Sequence, residues 1–237
     1  MTSTHSPTIL RAQSRGVSDL GWLYSHHSFS FGGYQDPARM GFRALRVLND
    51  DIIQGGSGFS AHGHDNMEII SWVLDGALAH RDSTGTDGVL FPGDAQVMTA
   101  GSGIRHSEMN GSTTDPAHFI QIWILPSERN VEPRYDQKTF YAAARTNAWQ
   151  RIADGKARDG ALPIQQDASV SVADLDPGAS LTFDVPEGRF GYLHVATGVV
   201  RVGEETLHAG DALELSDPAT LEMEGVESAQ LLAFDLA

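Results

Sequence analysis

The chain has 237 residues, room for one large domain or two small ones at roughly 150 residues per domain. Its 16 Lys and Arg stand against 31 Asp and Glu, a formal charge of −15, which repels phosphate backbones and anionic lipids and argues against direct nucleic-acid or membrane binding. It has no cysteine, which excludes disulfides, thiolate nucleophiles and Cys-ligated zinc or iron–sulfur centres, so any metal must be held by His and carboxylate. The N-terminal stretch lacks an apolar core behind a basic start, and no later apolar run approaches the roughly 18 residues of a membrane span. The chain reads as soluble and cytoplasmic.

In chain order, the LGWLYSHH stretch has a weakly helical pattern. The runs FRALRVLND, MEIISWVLDG, QVMTAG and HFIQIWILP then alternate with Gly, Pro and Asp punctuation and read as strands. Pro126, Pro133 and Asp154-Gly155 mark a boundary or crossover, in a segment that turns basic, with 7 basic against 5 acidic residues over 126–159. Inside it, Lys138 to Thr146 reads as a short helical connector. Strand-like runs resume with SLTFDV, FGYLHVATG, VVRVG and DALELS. Residues 160–237 carry 2 basic and 14 acidic side chains, a solvated face in the first instance and otherwise a docking surface for a basic partner. Many short strands at this spacing suit a sandwich or barrel. Gly76 followed by Pro92-Gly93-Asp94-Ala95 is echoed by Gly198 followed by Ala209-Gly210-Asp211-Ala212, a weak internal repeat that suggests two halves of one design.

The chemistry-bearing residues concentrate in the first half. On an extended strand, residues i and i+2 point the same way, so His62 and His64 present two imidazoles to one face, and Glu68 could share it if the strand does not bulge. His106 and Glu108 repeat the i, i+2 spacing behind the turn Ala100-Gly101-Ser102-Gly103. Three imidazoles and a carboxylate can thus converge from two strands, a donor set for a first-row transition metal. Phe59 and Trp72 could line an apolar pocket above it. His26, His27, His80, His118, His194 and His208 read as structural or exposed. No phosphate loop and no Gly-x-Ser-x-Gly elbow is present.

These residues carry a resemblance. Gly56 to Glu68 is similar to the first cupin motif, and Gly103 to Asn110 to the end of the second. The string Met98 to Glu108, with its His-Ser-Glu, and the segment His27-Ser28-Phe29-Ser30-Phe31 with Tyr34 and Asp36-Pro37 resemble the pirin family more narrowly. The strong match covers about residues 16 to 135, and Gly63 stands where relatives often have Pro.

The resemblance implies an all-β bicupin: two double-stranded β-helix barrels face to face, with a metal-binding barrel over residues 1–135 and a second barrel without a metal site over 136–237. The implied ligands are His62, His64, His106 and Glu108, with Glu68 ranked behind them as a supporting carboxylate. The implied cofactor is one divalent transition metal, Fe(II) first, with Mn, Co, Ni, Cu or Zn also suited to such donors. The implied activity is that of a quercetin 2,3-dioxygenase: a flavonol and dioxygen react, the heterocycle opens and carbon monoxide leaves, with Glu108 as the candidate catalytic proton acceptor. Some pirins look instead like metal- or redox-dependent regulators that bind a transcription factor or a metabolic enzyme, a role the acidic second half would suit. A cupin acting on some other small molecule is the third reading. Aligning the repeats by fixed shifts sets Asp184 and Pro186 against His62 and His64, and Met223 and Gly225 against His106 and Glu108, which leaves the second barrel without a metal set.

Overall fold

The computed structural model describes residues 7–237; residues 1–6, which open the stretch read above as lacking a leader, lie outside the described residues. Among the described residues there is no α-helix, only strands and three short 3-10 turns. The strands form two barrels, each a seven-stranded sheet facing a four-stranded one, the all-β bicupin architecture expected.

In the first barrel the small sheet runs Gly58–His64, Ile104–Asn110, Leu78–Asp82, Asp87–Leu90. Its large sheet is centred on Asp94–Thr99, Glu68–Asp75, Ala117–Ile124 and Leu45–Ile53. The second barrel repeats this with Ser180–Val185 and Ala219–Gly225 in the small sheet, and with Ala212–Leu215, Phe190–Thr197, Ala229–Leu236 and Ala168–Leu175 at the centre of the large one. Each large sheet is extended at equivalent edges. Arg134–Thr139 pairs with Asp94–Thr99 in the first barrel, and the N-terminal Thr8–Leu10 pairs with Ala212–Leu215 in the second. The division expected after residue 135 therefore falls within a strand of the first barrel.

The two large sheets pack on each other, which explains the long apolar runs of their central strands. Along Glu68–Asp75 the first six residues are all buried. Ile70 and Trp72 enter a core shared with Tyr192, Leu232 and Phe234 of the second barrel, while the alternate residues Ile69 and Ser71 face the interior of their own. A strand covered on both faces loses the polar alternation that would mark an outer face. The small sheets keep it: Ile104–Asn110 and Ser180–Val185 alternate buried and exposed positions.

Two local expectations are corrected. The weakly helical stretch before residue 28 is the strand Leu23–His27, paired on both sides with Gly16–Asp19 and Leu45–Ile53. The connector Lys138 to Thr146 is not a helix either. Lys138 and Thr139 finish the strand paired to Ala95 and Asp94, Phe140 is buried between the barrels, and only Ala142–Ala144 forms a single 3-10 turn. Three alanines cannot offset the cost of helix nucleation once their neighbours are committed to a sheet and a core.

The internal repeat is real in three dimensions. Gly76 and Gly198 have φ of 75° and 78°. A Cβ at Gly76 would stand 2.5 Å from the Pro116 carbonyl oxygen, and one at Gly198 2.0 Å from that of Ser228, so the equivalent turn of each barrel closes against the equivalent strand. Of the two fixed shifts, the one that sets Asp184 against His62 picks the wrong parity, whereas the one that sets Met223 against His106 picks an inward position. Asp184 points outward, and the inward positions of the second barrel's small sheet are Phe183, Val185, Leu221 and Met223, all in its apolar core. The first barrel differs because the pairing of Ile104–Asn110 with Gly58–His64 shifts register between His106 and Glu108.

Candidate metal centre

His62 and His64 lie on the edge strand of the first barrel's small sheet, and His106 and Glu108 on the strand beside it, with His106 directly opposite His62. All four line one pocket. The three imidazole rings stand 4.6 to 4.9 Å apart, centroid to centroid, and each offers a nitrogen within 4.8 Å of the others.

Local contacts fix the state of these rings. His62 Nδ1 lies 2.7 Å from the Ser60 carbonyl oxygen, which can only accept, so Nδ1 carries a proton and, in the neutral ring, Nε2 carries the lone pair. His64 Nε2 and both nitrogens of His106 are buried without a partner. Burial, with the adjacent His106 and His62, pulls His64 down to about 4, and burial with His62 and His80 pulls His106 down to about 3. Both rings stay neutral, as ligands must.

Glu108 is held on both oxygens. Ser71 Oγ donates to Oε1 at 2.9 Å, Gln96 Nε2 donates to the same oxygen, and Gln121 Nε2 donates to Oε2 at 2.6 Å. Tyr135 Oη in turn donates to Gln96 Oε1 at 3.0 Å. This cradle of Ser71, Gln96 and Gln121 escapes a motif search. Its signal is nonetheless present: each of three apolar strands carries one polar residue at a barrel-facing position, where it must find a partner.

Glu68 does not join the cluster. It begins the next strand on the same parity as Ile70 and Trp72, is fully buried, and accepts from Thr99 Oγ1 at 2.8 Å. Arg134 and the Gln165 backbone are its other polar neighbours, so it faces the second barrel, and its separation from the imidazoles follows from strand parity. Phe59 lines the pocket as expected, but Trp72 does not: its indole Nε1 donates to Gln230 Oε1 of the second barrel at 2.7 Å. His27, 2% exposed, pairs through Nδ1 with Asn49 Oδ1 at 2.9 Å and through Nε2 with Ser18 Oγ at 2.8 Å, which is a structural role.

The pocket is small, with a cavity volume of about 40 Å³, well below the roughly 300 to 1,000 Å³ of small-molecule sites. Phe31, Phe59 and Trp123 give it aromatic walls, and the Trp123 ring stands edge-on to His64 with centroids 4.9 Å apart. Asp51 adds a second carboxyl. Burial, helped by the charges of Asp50 and Glu108, pushes it up to about 7.

The donor set fits a divalent first-row metal. Partnerless nitrogens on His64 and His106 are costly in a buried site unless something takes their lone pairs. A hydrogen-bonded carboxylate beside three imidazoles would supply the fourth donor and one of the two compensating charges.

Comparison with known proteins agrees. A family model described as Pirin matches residues 10–124, and one described as the quercetinase C-terminal cupin domain matches residues 151–236. The chain is 38% identical to the quercetin 2,3-dioxygenase of Escherichia coli over 226 residues, 95% of this chain and 96% of that protein. It superposes on the crystal structure of YhhW from Escherichia coli with a TM-score of 0.93 at 38% identity, covering 98% of both chains. On the bacterial pirin YhhW in complex with nickel(II) the TM-score is 0.91 at 37% identity, covering 98% of this chain and 99% of that one.

Proposed function

We propose, from the premise that this chain belongs to the pirin family, that it is a metal-dependent quercetin 2,3-dioxygenase. It opens the heterocycle of a flavonol such as quercetin with dioxygen and releases carbon monoxide. The observation that carries this reading is the cluster of three imidazoles within reach of one another, with a triply held carboxylate lining the same aromatic-walled pocket. His62, His64, His106 and Glu108 hold one divalent metal, Fe(II) by preference, because a metal favouring five or six donors keeps positions free beyond four. When bound, it supplies Lewis acidity that lowers the pKa of the flavonol 3-hydroxyl and an electron path between flavonolate and dioxygen.

The protein's own residues do the rest. Phe31, Phe59 and Trp123 wall the site and exclude water from it. Glu108 is the acceptor of the 3-hydroxyl proton when partly detached from the metal, since Ser71, Gln96 and Gln121 orient it and occupy three of its roughly four lone-pair positions. Ser60 holds the His62 ring in the tautomer that leaves Nε2 free.

The test is anaerobic purification and elemental analysis, then dioxygen consumption with quercetin for as-isolated, chelated and Fe(II)-reconstituted protein. Uptake should require the metal, yield carbon monoxide, and vanish in His62→Ala and Glu108→Ala. His62→Ala and His106→Ala should each empty the site, whereas Glu68→Gln should not. A stoichiometric metal without turnover would refute the enzyme and favour a metal-dependent regulator with a protein partner.

A further inference from the structure

The residues behind the site form an ordered chain that the four ligands do not use. His80 lies on the strand next to that of His106 and Glu108, directly opposite Glu108, with Asp82 opposite His106. Its ring is 1% exposed, stacks on Tyr135 with centroids 4.2 Å apart, and stands 5.4 Å from the His106 ring. His80 Nε2 lies 2.9 Å from Asp82 Oδ2. The other oxygen, Oδ1, is occupied by Thr84 N at 2.8 Å, Thr84 Oγ1 at 2.6 Å and Thr86 N at 3.3 Å. Three ring nitrogens in this region have no partner: His80 Nδ1 and both nitrogens of His106. A nitrogen of His80 lies within 4.8 Å of one of His106 and of a Glu108 oxygen.

We propose that Asp82 and His80 form a positioning relay that fixes the tautomer of His106 and thereby strengthens its bond to the metal, an inference that rests on the metal reading above. With its donors from Thr84 and Thr86 in place, Asp82 can only accept, so His80 Nε2 carries a proton and, in the neutral ring, His80 Nδ1 is left as an acceptor. His106 commits one nitrogen to the metal and, as a neutral ring, must carry its proton on the other. That N–H is a buried donor, and His80 is the acceptor beside it, within reach of a small ring rotation or one bridging water. A ligand imidazole whose second nitrogen donates toward such a partner is more basic and held in one orientation. Tyr135 links the two supports, since it stacks on His80 and donates to the Gln96 that holds Glu108.

The experiment is a Co(II) titration of the full-length metal-free chain, read by absorption, for the wild type, Asp82→Asn and His80→Phe, with the melting temperature of each metal-free protein. In Asp82→Asn the amide oxygen keeps the Thr84 and Thr86 bonds and its NH2 donates to His80 Nε2. The proton is thereby forced onto His80 Nδ1, and donor faces donor at His106. His80→Phe keeps the stack on Tyr135 and removes the acceptor. Wild type should bind one Co(II) per chain, and both variants about 10- to 100-fold more weakly, with a displaced d–d spectrum. Variants that match the wild type in affinity and spectrum, whatever their melting temperatures, would overturn the relay alone. Two Co(II) per wild-type chain would also overturn it, by making His80 a ligand. A wild-type chain that takes up no Co(II) would remove the metal reading and the relay with it.

Discussion

Glu68 gives a pH-dependent test of how strand parity sorts the acidic residues near the site. Burial raises its carboxyl from the usual 4.5 to about 7, against smaller opposing contributions from Thr99, the Gln165 backbone and Arg134. Between these two pH values the folded chain keeps a proton that the unfolded chain releases. The contribution to stability is therefore full below about 4.5 and is lost as pH rises through 7. At about 1.4 kcal/mol per pH unit, the loss between pH 5 and pH 8 is about 2 to 3 kcal/mol. Glu68→Gln cannot titrate, and any offset from the new amide is the same at both pH values. Urea unfolding of metal-free parent and variant at pH 5 and pH 8 should show the variant gaining about that amount on the parent at the higher pH. A difference between the two proteins that is flat with pH, or that moves in the parent's favour as pH rises, would refute a protonated, interface-facing Glu68.

Three further changes probe the frame around the site. Trp72→Ala empties the largest fully buried side chain of the inter-barrel core and should cost about 3 to 5 kcal/mol of unfolding free energy in urea; a cost below about 1 kcal/mol would mean that the barrels do not depend on this contact. Gly76→Ala and Gly198→Ala each drive a Cβ into a backbone carbonyl at positive φ and should each destabilise by about 1 to 3 kcal/mol, whereas a harmless change at either would break the equivalence of the two turns. Asp154, buried, is held below its ordinary 3.8 although burial pushes the other way, because Arg158 and the backbone amides of Lys156 and Arg158 donate to it. Its contribution is present above about 3.8 and is lost as pH falls through the depressed folded value, so Asp154→Asn should cost about 1 to 3 kcal/mol at pH 7 and progressively less on acidification, with an unchanged cost at pH 2 counting against the assignment.

What could be read from the sequence depended on how many faces of each strand are buried. The His62, His64, His106 and Glu108 set was legible because both motif strands lie in a small sheet with one solvated face, where i, i+2 spacing states which side chains point inward. In the large sheet both faces are covered, one by the barrel interior and one by the partner barrel, so an apolar run such as EIISWVL gives no hint of which alternate residues see the site. That is why the sequence leaves Trp72 free to line the pocket and Glu68 free to share the face of His62 and His64, when both belong to the inter-barrel face, and why Ser71, Gln96 and Gln121 do not stand out among apolar neighbours. The connector failed for the same reason at longer range: Lys138 to Thr146 has the local composition of a helix, but Lys138 and Thr139 answer to a strand partner at Ala95 and Asp94 more than forty residues away. The same ambiguity makes the polar exceptions informative. In a strand buried on both faces, a lone Ser or Gln can be accommodated only where another polar group meets it, and Ser71, Gln96 and Gln121 all meet Glu108. A polar residue inside an apolar strand of such a paired barrel is therefore a pointer to the site from the side the motifs leave blank.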